Sequence, residues 1–391
     1  MHNFIYNTPT KIFFGRDQER NIGKILKEYQ AKKILLHYGK SSIKKTGLLA
    51  KIQQLLQQEN LEFFELEGVE PNPKLSLVEE GIKLVKREKI DFVLAIGGGS
   101  VIDSAKSICV GAMVDFSPWQ FSIHVKEPKA SLPLGVILTL AASGSDMSNS
   151  CVITNDKTKE KRGFNSEVNR PKFAILNPEL TYTVSAYQTA CGVVDIMMHT
   201  LERFISNGEE TPLTDAIAIG LLKAVYQAGK VVMQDPNNYE ARATLLWANS
   251  LSHNGLTSCG RSFVMSVHQL EHELSGMFDG VAHGAGLAVL WPAWAKYAYP
   301  MALERFKILT YDFLEIQQTD NLEKDILNGI AKLKNYFIEL GMPSTLRELG
   351  VEKKDLKQLS IDVTFQHTRV IQDVISIDEQ MAFQIFTEAY E

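Results

Sequence analysis

The sequence predicts two domains: an α/β domain built on a parallel sheet at residues 1–180, and an all-α domain at residues 181–391. Three observations carry this. Apolar runs of strand length alternate with amphipathic helical stretches through the first part of the chain. One of those strands runs straight into a triple glycine, Gly97-Gly98-Gly99. After Leu180 strand-like runs nearly vanish and long helical patterns follow. Length agrees with the division, because 391 residues exceed what one hydrophobic core comfortably serves.

The elements follow in order. Lys33–Tyr38 (KILLHY) reads as a buried strand, ended by the turn Gly39-Lys40-Ser41-Ser42. Residues 46–60 carry Leu and Ile at helical spacing. Glu62–Leu66 is a short strand stopped by the loop Glu70-Pro71-Asn72-Pro73. Leu75–Glu88 is an amphipathic helix with Leu77, Val78, Ile82 and Val85 on one face. Residues 91–96 (DFVLAI) form the strand that meets the glycines. Strands alternating with helices argue for a sheet covered on both faces. The boundary falls near 178–185, at Asn177-Pro178-Glu179. Beyond it, helices are expected over 192–205, 212–232, 239–256 and 263–278, with Pro212 in a first turn. From Leu322 helical pieces are broken at Gly341-Met342-Pro343 and Gly350. There is no internal repeat.

Composition narrows the class. Hydrophobic residues are 45%, charged residues 22%, and the net charge is −5, so no nucleic-acid or anionic membrane partner is indicated. No stretch approaches the roughly 18 apolar residues a membrane helix needs. The N-terminal segment lacks a basic region followed by an apolar run, so no signal peptide is expected. Cys109, Cys151, Cys191 and Cys259 show no CxxC spacing and fit a reducing cytoplasm.

The glycine turn is the first candidate site. Three glycines let a bulky anion approach the backbone, and the helix N-terminus beyond them offers free N–H groups. The turn Gly97-Gly98-Gly99-Ser100 reads as a pyrophosphate site, and Ser100 with Asp103 has the spacing of a capping pair. A tight strand-to-helix turn explains the same residues. The turn after KILLHY bears on cofactor type. A strand selecting NAD often ends in an acid that bonds the ribose 2′-hydroxyl. Here Gly39, Ser41 and Ser42 stand instead, with Lys44 and Lys45 nearby, which favours NADP(H) over NAD(H). A polar surface turn is the plainer explanation.

The second candidate site is a metal cage. Asp195 and His199 are four apart on an expected helix and share a face. Their neighbours Val193, Val194, Ile196 and Met197 make a lone buried carboxylate costly. His268 and His272 are likewise four apart, and His283 follows on an expected loop beside Gly284. Spacing alone leaves open which of His268 and His272 is the ligand, and a satisfied core histidine is the everyday alternative. An Asp/His₃ set suits Fe²⁺ or Zn²⁺. Such an ion beside a nicotinamide would serve alcohol oxidation or carbonyl reduction.

Taken together, IGGGSVIDSAK (96–106), TLAASGSDMSNSCVIT (139–154), NPELTYTV (177–184), GVVDIMMHTLERF (192–204) and HQLEHELSGMFDGVAHGAGLAVLWP (268–292) resemble the iron-containing (group III) alcohol dehydrogenases. Within that family they are most similar to its butanol-dehydrogenase-like, NAD(P)H-dependent branch. The resemblance spans nearly the whole chain. It implies a dehydroquinate-synthase-like fold, with a Rossmann-like dinucleotide-binding domain, a helical domain, and a metal in the cleft between them. It implies that Asp195, His199, His268 and His283 hold the metal, and that His272 lies near the nicotinamide and relays a proton. It places Gly98, Gly99, Ser100, Thr139, Asn149 and Lys161 at the dinucleotide, and likens Gly39, Ser41 and Ser42 to an NADP(H)-associated turn. It also implies a short-chain alcohol or aldehyde such as butanol or butanal as substrate, and a homodimer. Two departures stand out: Gly144-Ser145-Asp146 replaces the family's GSE, and Ala142 or Ser143 stands where it has threonine. Two other functions stay open: a metal- and NAD-using lyase of the dehydroquinate-synthase kind, and a non-catalytic metal- or nucleotide-binding protein. The lyase needs several cations to hold a polyanion, whereas the metal-bearing helices offer mainly Arg203 and Arg261.

Overall fold

The computed structural model describes residues 1–206 and 210–391. It divides into two compact units, one of residues 7–184 and 237–250, the other of residues 1–6, 185–236 and 251–391.

The first unit is built on six parallel strands: β1 (Lys11–Phe14), β2 (Lys33–Tyr38), β3 (Glu62–Leu66), β4 (Phe92–Gly97), β5 (Leu134–Leu138) and β8 (Phe173–Leu176). Their order in the sheet is β1-β8-β5-β4-β2-β3. The central strands are apolar runs because both their faces are covered. On one face Leu35, Val93, Ala95, Val136 and Ala174 pack with the helices Leu75–Glu88 and Gly99–Gly111. On the other, Ile34, Leu36, Phe92, Leu94, Ile137 and Ile175 pack with Ile22–Glu28 and Leu48–Gln58. The outermost strands, β1 and β3, are largely half-exposed, as edges are. Two short antiparallel strands, β6 (Ser150–Thr154) and β7 (Lys161–Asn165), form a separate pair.

The second unit is helical: Ala186–Phe204, Pro212–Gln234, Ser266–Met277, His283–Ala298, Leu322–Glu339, Asp355–Val363 and Glu379–Tyr390 are its main helices. Ser185 caps the first by accepting from the Gln188 amide at 3.2 Å. A two-residue antiparallel pair, β9 (Ile371–Gln372) with β10 (Ser376–Ile377), is the exception to all-α. The Tyr239–His253 helix begins in the first unit and ends in the second.

Several expectations are corrected. The helix after the glycines starts at Gly99 with Gly98 as its cap residue, so Ser100 lies inside it and caps nothing. His283 opens a sixteen-residue helix rather than sitting on a loop. The 239–256 helix stops at His253, where Gly255 adopts φ +104°. Residues 263–265 precede their helix, which starts at Ser266. Among the described residues one helix, Pro212–Gln234, is by length and composition apolar enough to cross a membrane, against the expectation of none. Its buried residues, among them Ala218, Leu222, Val225 and Val232, recur at helical spacing along one stripe, as in a core helix.

Candidate functional site

The Ala186–Phe204 helix carries Asp195 and His199 on its buried face, and the Ser266–Met277 helix presents His268 towards them. All three residues are buried. Asp195 Oδ1 lies 3.6 Å from His199 Nδ1, 3.5 Å from His268 Nε2 and 3.8 Å from His283 Nε2. Four donors about 2.1 Å from one ion at tetrahedral angles stand about 3.4 Å apart. Asp195 Oδ1, His199 Nδ1 and His268 Nε2 are buried without a hydrogen-bond partner. Each such orphan costs about 1–3 kcal/mol. His37 shows what a satisfied core histidine looks like, with Nδ1 3.0 Å from Leu66 O and Nε2 2.8 Å from Ser104 Oγ. The orphans converge where a cation would satisfy all of them, so the donor set fits a divalent metal.

Tight backbone packing brings the fourth donor in. A Cβ on Gly284 would lie 2.2 Å from the Cys191 carbonyl oxygen, so only glycine lets the His283–Ala298 helix approach the Ala186–Phe204 helix so closely. His272 sits to one side: its ring centroid is 5.6 Å from that of His283, and its nearest potential ligand companions are Glu271 and His283.

Two carboxylates absent from the sequence reading complete the cluster. Glu202 pairs with His268 Nδ1 and accepts from the Val267 amide at 2.7 Å. Glu271 pairs with His283 Nδ1. Each pairing leaves Nε2 to face Asp195, the arrangement that orients a ligating imidazole. Burial, with neighbouring positive charge, holds the His199 imidazole well below its usual range. Burial also opposes protonation of His268, but Glu202 and Asp195 outweigh it and raise it to about 9. Glu202 and Glu271 each stand three residues after a proposed ligand on the same helix, but each pairs with a histidine of another element. His253 was missed as well: its ring packs edge-on at 4.1 Å against that of His199, and its Nδ1 is 3.3 Å from Arg203 Nη2.

The glycine turn lies in the other unit. Strands β2, β4 and β5 are neighbours, so Gly39, Gly97–Ser100 and Thr139 all sit at the carboxyl ends of adjacent strands. Open α/β sheets bind ligands at that edge. The Thr139 amide donates to Gly97 O at 3.1 Å. A Cβ on Gly99 would come within 2.2 Å of Ser143 Oγ, and one on Gly98 within 3.1 Å of Leu140. The glycines therefore let the 139–144 segment close over the helix start. Lys106, fully buried, holds the rest of that segment through Ser145 Oγ at 2.8 Å, Ser148 O at 3.0 Å and Ser150 O at 2.7 Å. The departure residue Asp146 is buried and accepts from Asn249 Nδ2 at 2.8 Å, and burial pushes its carboxyl up.

The other expected contacts lie elsewhere in the same unit. Both oxygens of Asp103 are engaged within the protein, by Ser145 Oγ and by the Val152 amide at 3.0 Å. Asn149 Nδ2 donates to Glu167 at 2.8 Å. Lys161 is buried on β7. Ser42 begins a short helix, Ser42–Lys45. The acid-free character of the Gly39 turn holds only along the chain: Lys40 pairs with Glu70 and Lys44 with Glu67, both acids arriving from the end of β3.

The family model for iron-containing alcohol dehydrogenases matches residues 9–178, and that for the C-terminal part of the Fe-containing alcohol dehydrogenase family matches residues 189–390. The chain belongs to the iron-containing alcohol dehydrogenase family. It is 38% identical over 394 residues to NADH-dependent butanol dehydrogenase A of Clostridium acetobutylicum, covering 100% of both chains. It is 34% identical to the NADPH-dependent aldehyde reductase YqhD of Escherichia coli, covering 92% of each. The crystal structure of NADH-dependent butanol dehydrogenase A from Thermotoga maritima superposes with a TM-score of 0.96 at 34% identity, covering 100% of this chain and 99% of that one. Membership brings with it a nicotinamide cofactor and an iron-type metal. In this dehydrogenase the buried, unpartnered donors around Asp195 are where such an ion fits.

Proposed function

We propose that this member of the family interconverts short-chain alcohols and aldehydes, with butanol and butanal as representative substrates. The observation that carries the reading is the convergence of Asp195, His199, His268 and His283, three of them with buried unpartnered donors. When bound, the ion supplies Lewis acidity towards an alcohol or carbonyl oxygen, and the dinucleotide supplies the hydride acceptor or donor.

The chain's own residues do the rest. Asp195, His199, His268 and His283 hold the ion, while Glu202 and Glu271 fix the rings of His268 and His283. Gly98, Gly99, Ser100 and Thr139 receive the dinucleotide. Asn149 and Lys161 border that segment, and Asp103 positions it through Ser145 and Val152. His272, beside His283, holds and passes the proton exchanged with solvent. A lyase acting on a polyanion is less well supported. Arg203 is committed to His199 O, Ser252 O and His253, and Arg261 to Asp215 and Thr211.

The finer cofactor reading rests on the Gly39 turn. Along the chain the acid-free turn Gly39, Ser41 and Ser42 favours NADP(H), but the lysines that would hold a 2′-phosphate pair with Glu67 and Glu70. A homodimer in the cytoplasm is also part of the proposal; the four free cysteines are compatible with a reducing compartment. The test is spectrophotometric. Purified protein supplied with Fe²⁺ or Zn²⁺ is expected to oxidise NADH or NADPH with butanal. Absence of turnover with every short aldehyde and both dinucleotides would refute the reading.

A further inference from the structure

Three strand ends lie side by side in the order β4, β2, β3. Register fixes them: Tyr38 is opposite Ile96, and His37 opposite Leu66. The end of β4 is the glycine turn, and the end of β2 is the Gly39–Ser42 turn. The end of β3 runs on as Glu67-Gly68-Val69-Glu70. Two hydrogen bonds tie this last segment to the middle one, from the Gly68 amide to Gly39 O at 3.2 Å and from the Val69 amide to Tyr38 O at 3.3 Å. A pyrophosphate at β4 directs the adenosine ribose towards β2, where an acid usually reads the 2′-hydroxyl. β2 supplies none. Its lysines are instead occupied from the far side, Lys44 by Glu67 and Lys40 by Glu70.

Building on the dehydrogenase reading, we propose that Glu67 and Glu70 set the cofactor preference: they neutralise Lys40 and Lys44, hold NADPH affinity down and make NADH the preferred dinucleotide. The discriminating acid is displaced by one strand from its usual place. Exposed ion pairs of this kind contribute little to stability. Their consequence is electrostatic, because carboxylates paired with Lys40 and Lys44 offset the attraction those lysines would offer a 2′-phosphate. Lys45, the remaining cation of the short helix, is not matched by an ion pair with either acid.

The test measures dissociation constants of NADH and NADPH on the full chain by quenching of its tryptophan fluorescence. Wild type is expected to bind NADH more tightly. Glu67→Gln with Glu70→Gln is expected to tighten NADPH on the order of tenfold while moving NADH by less than about twofold. Adding Lys44→Met to that double variant should reverse much of the gain, and raising ionic strength should shrink it. Both acids are exposed, so folding is not at stake. An unchanged ratio of the two constants overturns the proposal while leaving the dehydrogenase reading intact. Failure of wild type to bind either dinucleotide overturns both.

Discussion

Glu202→Gln separates two effects that one carboxylate combines. Glu202 pairs with the Nδ1 side of His268 and raises that imidazole to about 9. In the metal-free protein His268 therefore carries a proton at pH 7, and a metal must displace it. Two pH units at tenfold per unit weaken uptake by about 100-fold at pH 7. His199 adds nothing to this competition, because burial already keeps it neutral. Replacing Glu202 with glutamine removes its charge and leaves Asp195 alone against burial, so the His268 imidazole falls and the competing proton is held less tightly. The variant also loses the partner that orients the ring, which is worth about 10–100-fold in metal affinity. The two changes oppose each other at pH 7 and part company at pH 9, where wild type no longer pays for the proton. A chelator-competition titration with Zn²⁺ should show wild-type affinity rising about tenfold per unit from pH 7 to 9. For Glu202→Gln the rise should be shallower, with affinity about 10–100-fold weaker than wild type at pH 9. A slope retained in Glu202→Gln would show that Glu202 does not control the His268 proton.

Other substitutions probe the same geometry. His283→Ala should abolish stoichiometric metal binding and turnover together; retained metal, measured by elemental analysis, would remove His283 from the ligand set. Gly284→Ala forces a methyl to within 2.2 Å of Cys191 O. It should destabilise the fold by about 1–3 kcal/mol and weaken metal binding by displacing His283, both visible in thermal melts with and without Zn²⁺. Gly39→Asp meets only ordinary contact, 3.6 Å from Val69 O, so it should fold normally. The new carboxylate should shift the ratio of dissociation constants further towards NADH, and an unmoved ratio would show that this turn does not face the ribose.

The parallel sheet was legible because its inner strands are unbroken apolar runs such as KILLHY and DFVLAI. Short or edge strands such as KIFF and KRGFN carry too little pattern to stand out. The cage was legible because Asp195 and His199 share a helix face, as spacing alone can reveal. Choosing His268 over His272 required either resemblance or coordinates, since both lie on one helix. Glu202 and Glu271 follow their helices' periodicity but look like ordinary acids until a histidine from another element meets them. Glu67 and Glu70 were invisible for a related reason: they adjoin the Gly39 turn through the pairing of β2 with β3, which no local window contains. His283 was placed on a loop because Gly280, Gly284 and Gly286 read as breakers. In the structure Gly284 and Gly286 lie inside a helix, making room for Cys191 and Glu271.

The most direct measurement is a metal reconstitution titration. Protein stripped by chelation is reloaded anaerobically with Fe²⁺ or Zn²⁺ while reduced-dinucleotide oxidation by butanal is followed. The stripped protein should be inactive, with activity returning linearly and levelling off at one ion per chain. Turnover by the stripped protein, or activity indifferent to added metal, would contradict a metal centre built on Asp195, His199, His268 and His283.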